Sequence, residues 1–172
     1  LDLDNTVEKN ISLLADAKDT SANKLTACVL DRPRHNKIIS ELKRMKVNLK
    51  LITDGDVAGA ISVIDKKSPV DIYLGTGGGP EGVLAAAALS CYGGQIQTRL
   101  ILNEEEKIRA KKLGIIDLNK KYNIIDMIKG DVIFCASGVT NGDLVSGIKN
   151  NKDSFEVSTF ALHKESKTVL KI

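Results

Sequence analysis

Tryptophan is missing from this 172-residue chain, and the three Tyr and three Phe make up an aromatic content of only 3%. So few rings exclude a platform on which bases stack. No charge of either sign dominates: 25 basic and 22 acidic residues leave a net +3. That balance argues against a nucleic-acid or membrane surface, and no apolar run is long enough to span a bilayer. No secretory signal is present, so the cytoplasm is the expected compartment. Leu1 in place of an initiator Met leads us to expect a longer protein. Cysteine is sparse: Cys28, Cys91 and Cys135 are odd in number and far apart, without metal-site spacing. Buried thiols in a reducing compartment are expected.

What is present reads as one α/β domain over residues 1–172. Residues 5 to 18 form an amphipathic helix, capped by Asn5 or Thr6, with Val7, Ile11, Leu14 and Ala15 inward. Strands are expected at Thr26–Leu30, Val47–Ile52 and Val70–Leu74. Helices follow each: one from Pro33 with Ile38, Ile39, Leu42 and Met45 inward, one over Asp54–Ile64, and one after Pro80 through four alanines. Alternation of this kind implies a mostly parallel sheet flanked by helices. Further on we expect a strand over Gln95–Leu102, a helix over Glu104–Leu113 with Ile108 and Leu113 inward, and a short helix or turn over Asn123–Ile128. A strand over Asp131–Ala136 and a C-terminal β-hairpin about Lys164-Glu165-Ser166 complete the chain.

Three polar runs follow strands directly: Asp31-Arg32-Pro33-Arg34-His35, Asp54-Gly55-Asp56, and Gly75-Thr76-Gly77-Gly78-Gly79-Pro80-Glu81. Ligands of open parallel sheets sit at the carboxyl ends of strands, so the three runs should meet at one rim. The glycines can take backbone angles closed to other residues, and a helix start there offers bare amides to an anion. Glu81 either complements the helix dipole or holds a cation beside a bound phosphate. Arg32 and Arg34 are either surface arginines at a helix start or a pair of forks for phosphate. Asp54 and Asp56 could cap the next helix, bind metal with Glu81, or accept hydrogen bonds from sugar hydroxyls. His35 and His163 show no partner pattern for metal or triad chemistry and are expected to be structural. Ser137 and Thr140 lack an evident base, and Asp143 reads as a turn residue.

Leu74-Gly75-Thr76-Gly77-Gly78-Gly79-Pro80-Glu81-Gly82-Val83 resembles the glycine-rich segment of class II (GlpX-type) fructose-1,6-bisphosphatases. Asp31-Arg32-Pro33-Arg34-His35, Ile52-Thr53-Asp54-Gly55-Asp56-Val57-Ala58 and Ala136-Ser137-Gly138-Val139-Thr140-Asn141-Gly142-Asp143-Leu144 agree in order and spacing. The resemblance implies the C-terminal, substrate-binding half of a lithium-sensitive sugar-phosphatase-like fold. It also implies hydrolysis of fructose 1,6-bisphosphate to fructose 6-phosphate by a divalent-metal-activated water, Mn2+ or Mg2+. It assigns Arg32, Pro33 and Arg34 to a substrate phosphate, Asp54, Gly55 and Asp56 to the sugar, Gly78 to the substrate and Glu81 to the metal, with no catalytic residue on this chain. Some members also act on sedoheptulose 1,7-bisphosphate. The family's remaining metal ligands belong to its N-terminal half, so the isolated chain is expected to be inactive. A gluconeogenic enzyme of carbohydrate and glycerol metabolism, homo-oligomeric, is the corresponding expectation. The competing reading is a non-catalytic module for a sugar phosphate or nucleotide.

Overall fold

A computed structural model describes residues 1–172. Helix α1 spans Val7–Ala17, and Thr6 caps it by accepting from the Lys9 amide at 3.1 Å. Strand β1 (Thr26–Leu30) pairs in parallel with β2 (Asn48–Ile52) on one side and β3 (Ile72–Tyr73) on the other, so the order is β2-β1-β3. A single 3-10 turn, Pro33–His35, precedes α2 (Asn36–Arg44). Helices α3 (Asp56–Ile61) and α4 (Gly79–Tyr92) follow β2 and β3. Gly55 starts α3 with φ +79°, a left-handed conformation that a side chain would strain. Gly93 closes α4 in the same region.

Alternation along β1 fixes the layers. Ala27 and Val29 pack with Ile11, Ala15, Ile39 and Leu42 from α1 and α2 in the first core cluster. Cys28 and Leu30 point to the opposite face and are buried as well, as befits the central strand of a parallel sheet covered on both sides. On that face α3 lies against β1, with α4 beside it. A second sheet closes the other side of α4. It has the antiparallel order β4 (Ile133–Ser137), β7 (Thr159–His163), β8 (Thr168–Lys171). Phe134, Phe160 and Leu162 pack with Ile61, Ala88 and Cys91 in the second cluster. A small hairpin, β5 (Lys149–Asn151) with β6 (Ser154–Glu156), stands apart.

The fold class is the expected one, a parallel sheet flanked by helices with a C-terminal hairpin, and three local expectations change. Gln95–Leu102 alternates in sequence but finds no strand to pair with; only Thr98 bridges Tyr122. Arg99 instead bonds the Asn119 carbonyl and pairs with Asp4, and Lys121 reaches Asp2 and Asp4. Helix α5 (Glu104–Lys112) carries a full capping box, Asn103 with Glu106, yet Ile108 and Leu113 face solvent and Ala110 is its buried residue. Cys135 is exposed, because it alternates with Phe134 onto the outer face of the second sheet. Ile133, Leu170 and Ile172 share that uncovered face. The accessible surface, 11238 Å², exceeds the roughly 8,200 Å² that a closed globule of this mass exposes.

The motif over residues 136–144 has a structural basis, and it changes the expectation for Asp143. Residues 137 to 148 fold back tightly: Gly138 donates to Ser158, Gly142 to Val145, and Gly147 to the Asn141 side chain. Asp143 is more than a turn residue, since it pairs with Lys50 on β2 and so ties this loop to the first sheet.

Candidate functional site

The three polar runs meet. Each leaves the carboxyl end of a parallel strand, and hydrogen bonds join them across the rim. The Asp31 amide donates to Ile52 at the end of β2, 2.8 Å. Arg34 Nε donates to the Thr76 carbonyl at 2.8 Å, which joins the first loop to the glycine loop. The Asp56 carboxylate overhangs Gly77: a Cβ built there would sit 2.7 Å from Asp56 Oδ2. Arg32, Pro33, Arg34, Asp54, Gly55, Asp56, Gly78 and Glu81 therefore occupy one solvent-open edge of the first sheet.

The local chemistry differs in detail from expectation. None of Gly75, Gly77, Gly78 and Gly79 has positive φ; the left-handed glycines are Gly55, Gly93, Gly114 and Gly130. The rim needs glycine for close approach. Gly75 passes over the His35 ring, 3.3 Å from where its Cβ would lie, Gly77 lies under Asp56, and Gly78 lies under the Glu81 carboxylate. Neither aspartate caps α3: Asp54 Oδ1 accepts from the Gly55 amide and Asp56 Oδ1 from the Val57 amide, at 2.8 and 2.9 Å. One oxygen of each carboxylate is thereby oriented by the backbone, and the other remains at the rim. The Arg32 guanidinium bonds only its neighbour's carbonyl, Asp31, at 3.3 Å.

Three residues that sequence reasoning left aside belong here. Thr76 accepts from Arg34 and donates to His35. His35 is completely buried between the loops. Tyr73, the last residue of β3, lies beneath; burial first, and then the Asp56 charge, push its phenol well above the ordinary value of 10, with Arg34 opposing. His35 and Thr76 lie inside two of the polar runs and Tyr73 inside the apolar strand before the glycines, but no local pattern marks their contacts with one another.

Glu81 stands in the first turn of α4, where the amides of Gly79 and Glu81 have no intrahelical carbonyl to bond, and Pro80 brings no amide at all. Its carboxylate turns back over Gly78. As a cation ligand it has the right chemistry, a hard oxygen donor at an open edge, but it is one donor. The group of three donors in the structure is elsewhere: Asp131, His163 and Glu165, with ligand atoms within 4.8 Å of one another. This corrects the reading that His163 has no such partners. The group sits beside the last turn of α4, since Cys91 Sγ contacts the Val132 carbonyl. Between Glu81 and Cys91 the helix rises about 15 Å, so this group lies away from the rim.

That group is held by hydrogen bonds. His163 Nε2–H donates to Asp131 Oδ2 at 2.6 Å, and Asp131 Oδ1 accepts from Val132 and Glu165. The imidazole first, then the two amides, hold the Asp131 carboxyl below its ordinary 3.8. A depressed carboxyl stabilises the fold above its unfolded value and loses that contribution as pH falls through the folded value. Replacing Asp131 by Asn should flatten the stability curve of the chain below about pH 4, read by urea midpoints at stepped pH. An unchanged acid limb would remove this pair from the account.

The model of the bacterial fructose-1,6-bisphosphatase family, glpX-encoded, matches residues 1–172. The D-fructose 1,6-bisphosphatase class 2/sedoheptulose 1,7-bisphosphatase of Synechococcus sp. (strain JA-3-3Ab) is 34% identical over 97% of this chain and 52% of its own length. The protein of the same description from Trichodesmium erythraeum (strain IMS101) is 31% identical over 98% of this chain and 53% of its own. The chain spans about half the length of the curated relatives it matches, their C-terminal half.

Proposed function

This chain belongs to the bacterial fructose-1,6-bisphosphatase family encoded by glpX, and from that premise we propose that its rim is the sugar-bisphosphate seat of a phosphatase that cleaves the 1-phosphate of fructose 1,6-bisphosphate. The observation that carries the reading is the joining of three strand-end loops by Arg34 and Thr76, with Asp56 over Gly77. Arginine forks, oriented carboxylates and bare amides then face one opening.

The division of labour follows from the donors. Arg32 and Arg34, with Pro33 fixing the turn between them, grip the phosphate that is not cleaved. Arg34 spends Nε on Thr76 and keeps both terminal nitrogens, each able to donate to a phosphate oxygen. Asp54 and Asp56, on either side of the left-handed Gly55, accept from sugar hydroxyls, and Gly78 lets the substrate approach the backbone. Anchoring the remote end places the reacting phosphate at the start of α4 and lowers the entropic barrier there. Glu81 supplies one carboxylate to a divalent cation, Mn2+ or Mg2+, which when bound polarises phosphoryl oxygens and provides a nucleophilic water. The other donors come from polypeptide outside this rim. The chain alone therefore binds without hydrolysing, and phosphate release by it in Mn2+ would overturn that division.

Activity on sedoheptulose 1,7-bisphosphate is the second reading, favoured by the names both relatives carry. The shared requirement is a ketose with a distal phosphate. A soluble, cytoplasmic role in gluconeogenesis accords with it, and no helix here is long and apolar enough to cross a membrane.

Calorimetric titration of the 172-residue chain tests the seat. Fructose 1,6-bisphosphate and fructose 6-phosphate should bind roughly 100-fold more tightly than fructose, the worth of about two charge-assisted hydrogen bonds. Equal binding of fructose and its phosphates, or tighter binding of AMP, would turn the rim into a different kind of site.

A further inference from the structure

His35 and Arg34 are neighbours on one 3-10 turn and take hold of opposite ends of the same residue, Thr76. Arg34 Nε donates to the Thr76 carbonyl at 2.8 Å, and the Thr76 amide donates to His35 Nε2 at 2.8 Å. The other ring nitrogen, Nδ1, lies 2.8 Å from the Leu30 carbonyl at the end of β1. These partners settle the tautomer. An amide can only donate, so Nε2 is unprotonated; a carbonyl can only accept, so Nδ1 carries the hydrogen. The 3.2 Å approach of Nε2 to the Thr76 carbonyl is then proximity, not a bond. The ring is 0% exposed, and Gly75 crosses it so closely that a Cβ would stand 3.3 Å from both Cε1 and Nε2.

We propose that His35 is a positioning residue of the anion seat: as the Nδ1–H tautomer it bolts the Thr76 peptide to the end of β1 and so sets where the Gly77 and Gly78 backbone stands relative to the Arg34 guanidinium. The inference rests on the sugar-phosphate reading of the rim and adds to it the part that fixes its width. Without the bolt, the glycine loop is tethered to the first loop by Arg34 alone. A phosphate bound at that edge would then have to order the loop itself. The geometry also gives Gly75 its purpose, because any side chain there would press on the ring.

Two variants separate positioning from packing. In His35→Gln the side-chain oxygen reaches the Nε2 position and can accept from Thr76. In His35→Asn the side chain reaches only the Nδ1 position and can donate to Leu30 but not hold Thr76. Both are polar replacements for a buried polar residue. In the unaltered chain, 15N spectra should show one unprotonated ring nitrogen at His35 coupled to a protected Thr76 amide. Fructose 1,6-bisphosphate affinity, read by titration of the same samples, should fall roughly 10-fold in His35→Asn and less than about 3-fold in His35→Gln. The Thr76 and Gly77 amides should lose exchange protection in the Asn variant alone. Equal affinities and equal Thr76 protection in both variants would overturn the proposal, as would a protonated Nε2. If the unaltered chain does not bind the bisphosphate, the sugar-phosphate reading fails by itself. Thr76 exchange in the two variants then still decides whether His35 is the bolt, and unchanged protection in the Asn variant ends that claim.

Discussion

Replacing Arg34 by Ala is expected to weaken fructose 1,6-bisphosphate binding by roughly 100-fold or more. Two losses add. The terminal nitrogens no longer meet phosphate oxygens, and charge-assisted hydrogen bonds are worth about 1.5–3 kcal/mol each. The Nε bond to the Thr76 carbonyl also disappears, so the glycine loop loses one of its two ties. Arg34→Lys restores the charge but not the fork, and should recover only about a tenth of the lost affinity. Arg32 serves as the internal comparison. Its side chain makes one bond, to the adjacent Asp31 carbonyl at 3.3 Å, so Arg32→Ala removes charge without loosening a loop and should cost less. Calorimetry on the three variants gives the order. An Arg34→Ala chain that binds like the parent would show that the rim does not use this guanidinium.

Gly138→Ala is the substitution with the largest expected effect on stability. A Cβ at this position would overlap the Ser146 carbonyl oxygen outright and stand 2.8 Å from its carbon. The two nearest atoms are backbone, which cannot rotate away as a side chain could. Gly138 also donates to Ser158, which holds the loop to the start of β7. Overpacking of this kind costs about 3 kcal/mol, a sizeable part of the roughly 5–15 kcal/mol available to a domain. The urea midpoint should drop with little change in slope. Gly82→Ala is the control, since nothing lies within 4 Å of a Cβ there and the residue is already helical. It should be neutral or slightly stabilising. Equal midpoints for the two variants would show that the 137–148 loop yields more easily than its contacts imply.

How much of this was legible in the chain depends on the distance over which each feature is decided. The alternation of apolar strands with helices, the position of Pro33 and Pro80 at helix starts, and the capping residues are all local patterns. The meeting of the loops after β1, β2 and β3 followed from the parallel alternation alone, because such strands all end on the same side. The reading of Gln95–Leu102 as a strand failed for the complementary reason. Alternation describes a half-buried ribbon, but a strand also needs a partner edge, and here only Tyr122 is in reach. Helical spacing places Ile108 and Leu113 inward, yet α5 buries Ala110 instead, since which face of a helix is covered depends on what lies beside it.

The succession of elements and the residue types at the strand ends are written in the chain, for they are set by periodicity and backbone chemistry within a few residues. What those residues do to one another depends on how the folded chain brings them together. Thr76 is gripped by groups 41 and 42 residues away, Asp131 meets His163 across 32, and Gly75 and Gly77 are small because of His35 and Asp56 from other loops. Contacts between distant segments leave no periodic mark along the chain, so they exist as facts only once the sheet has brought its ends together.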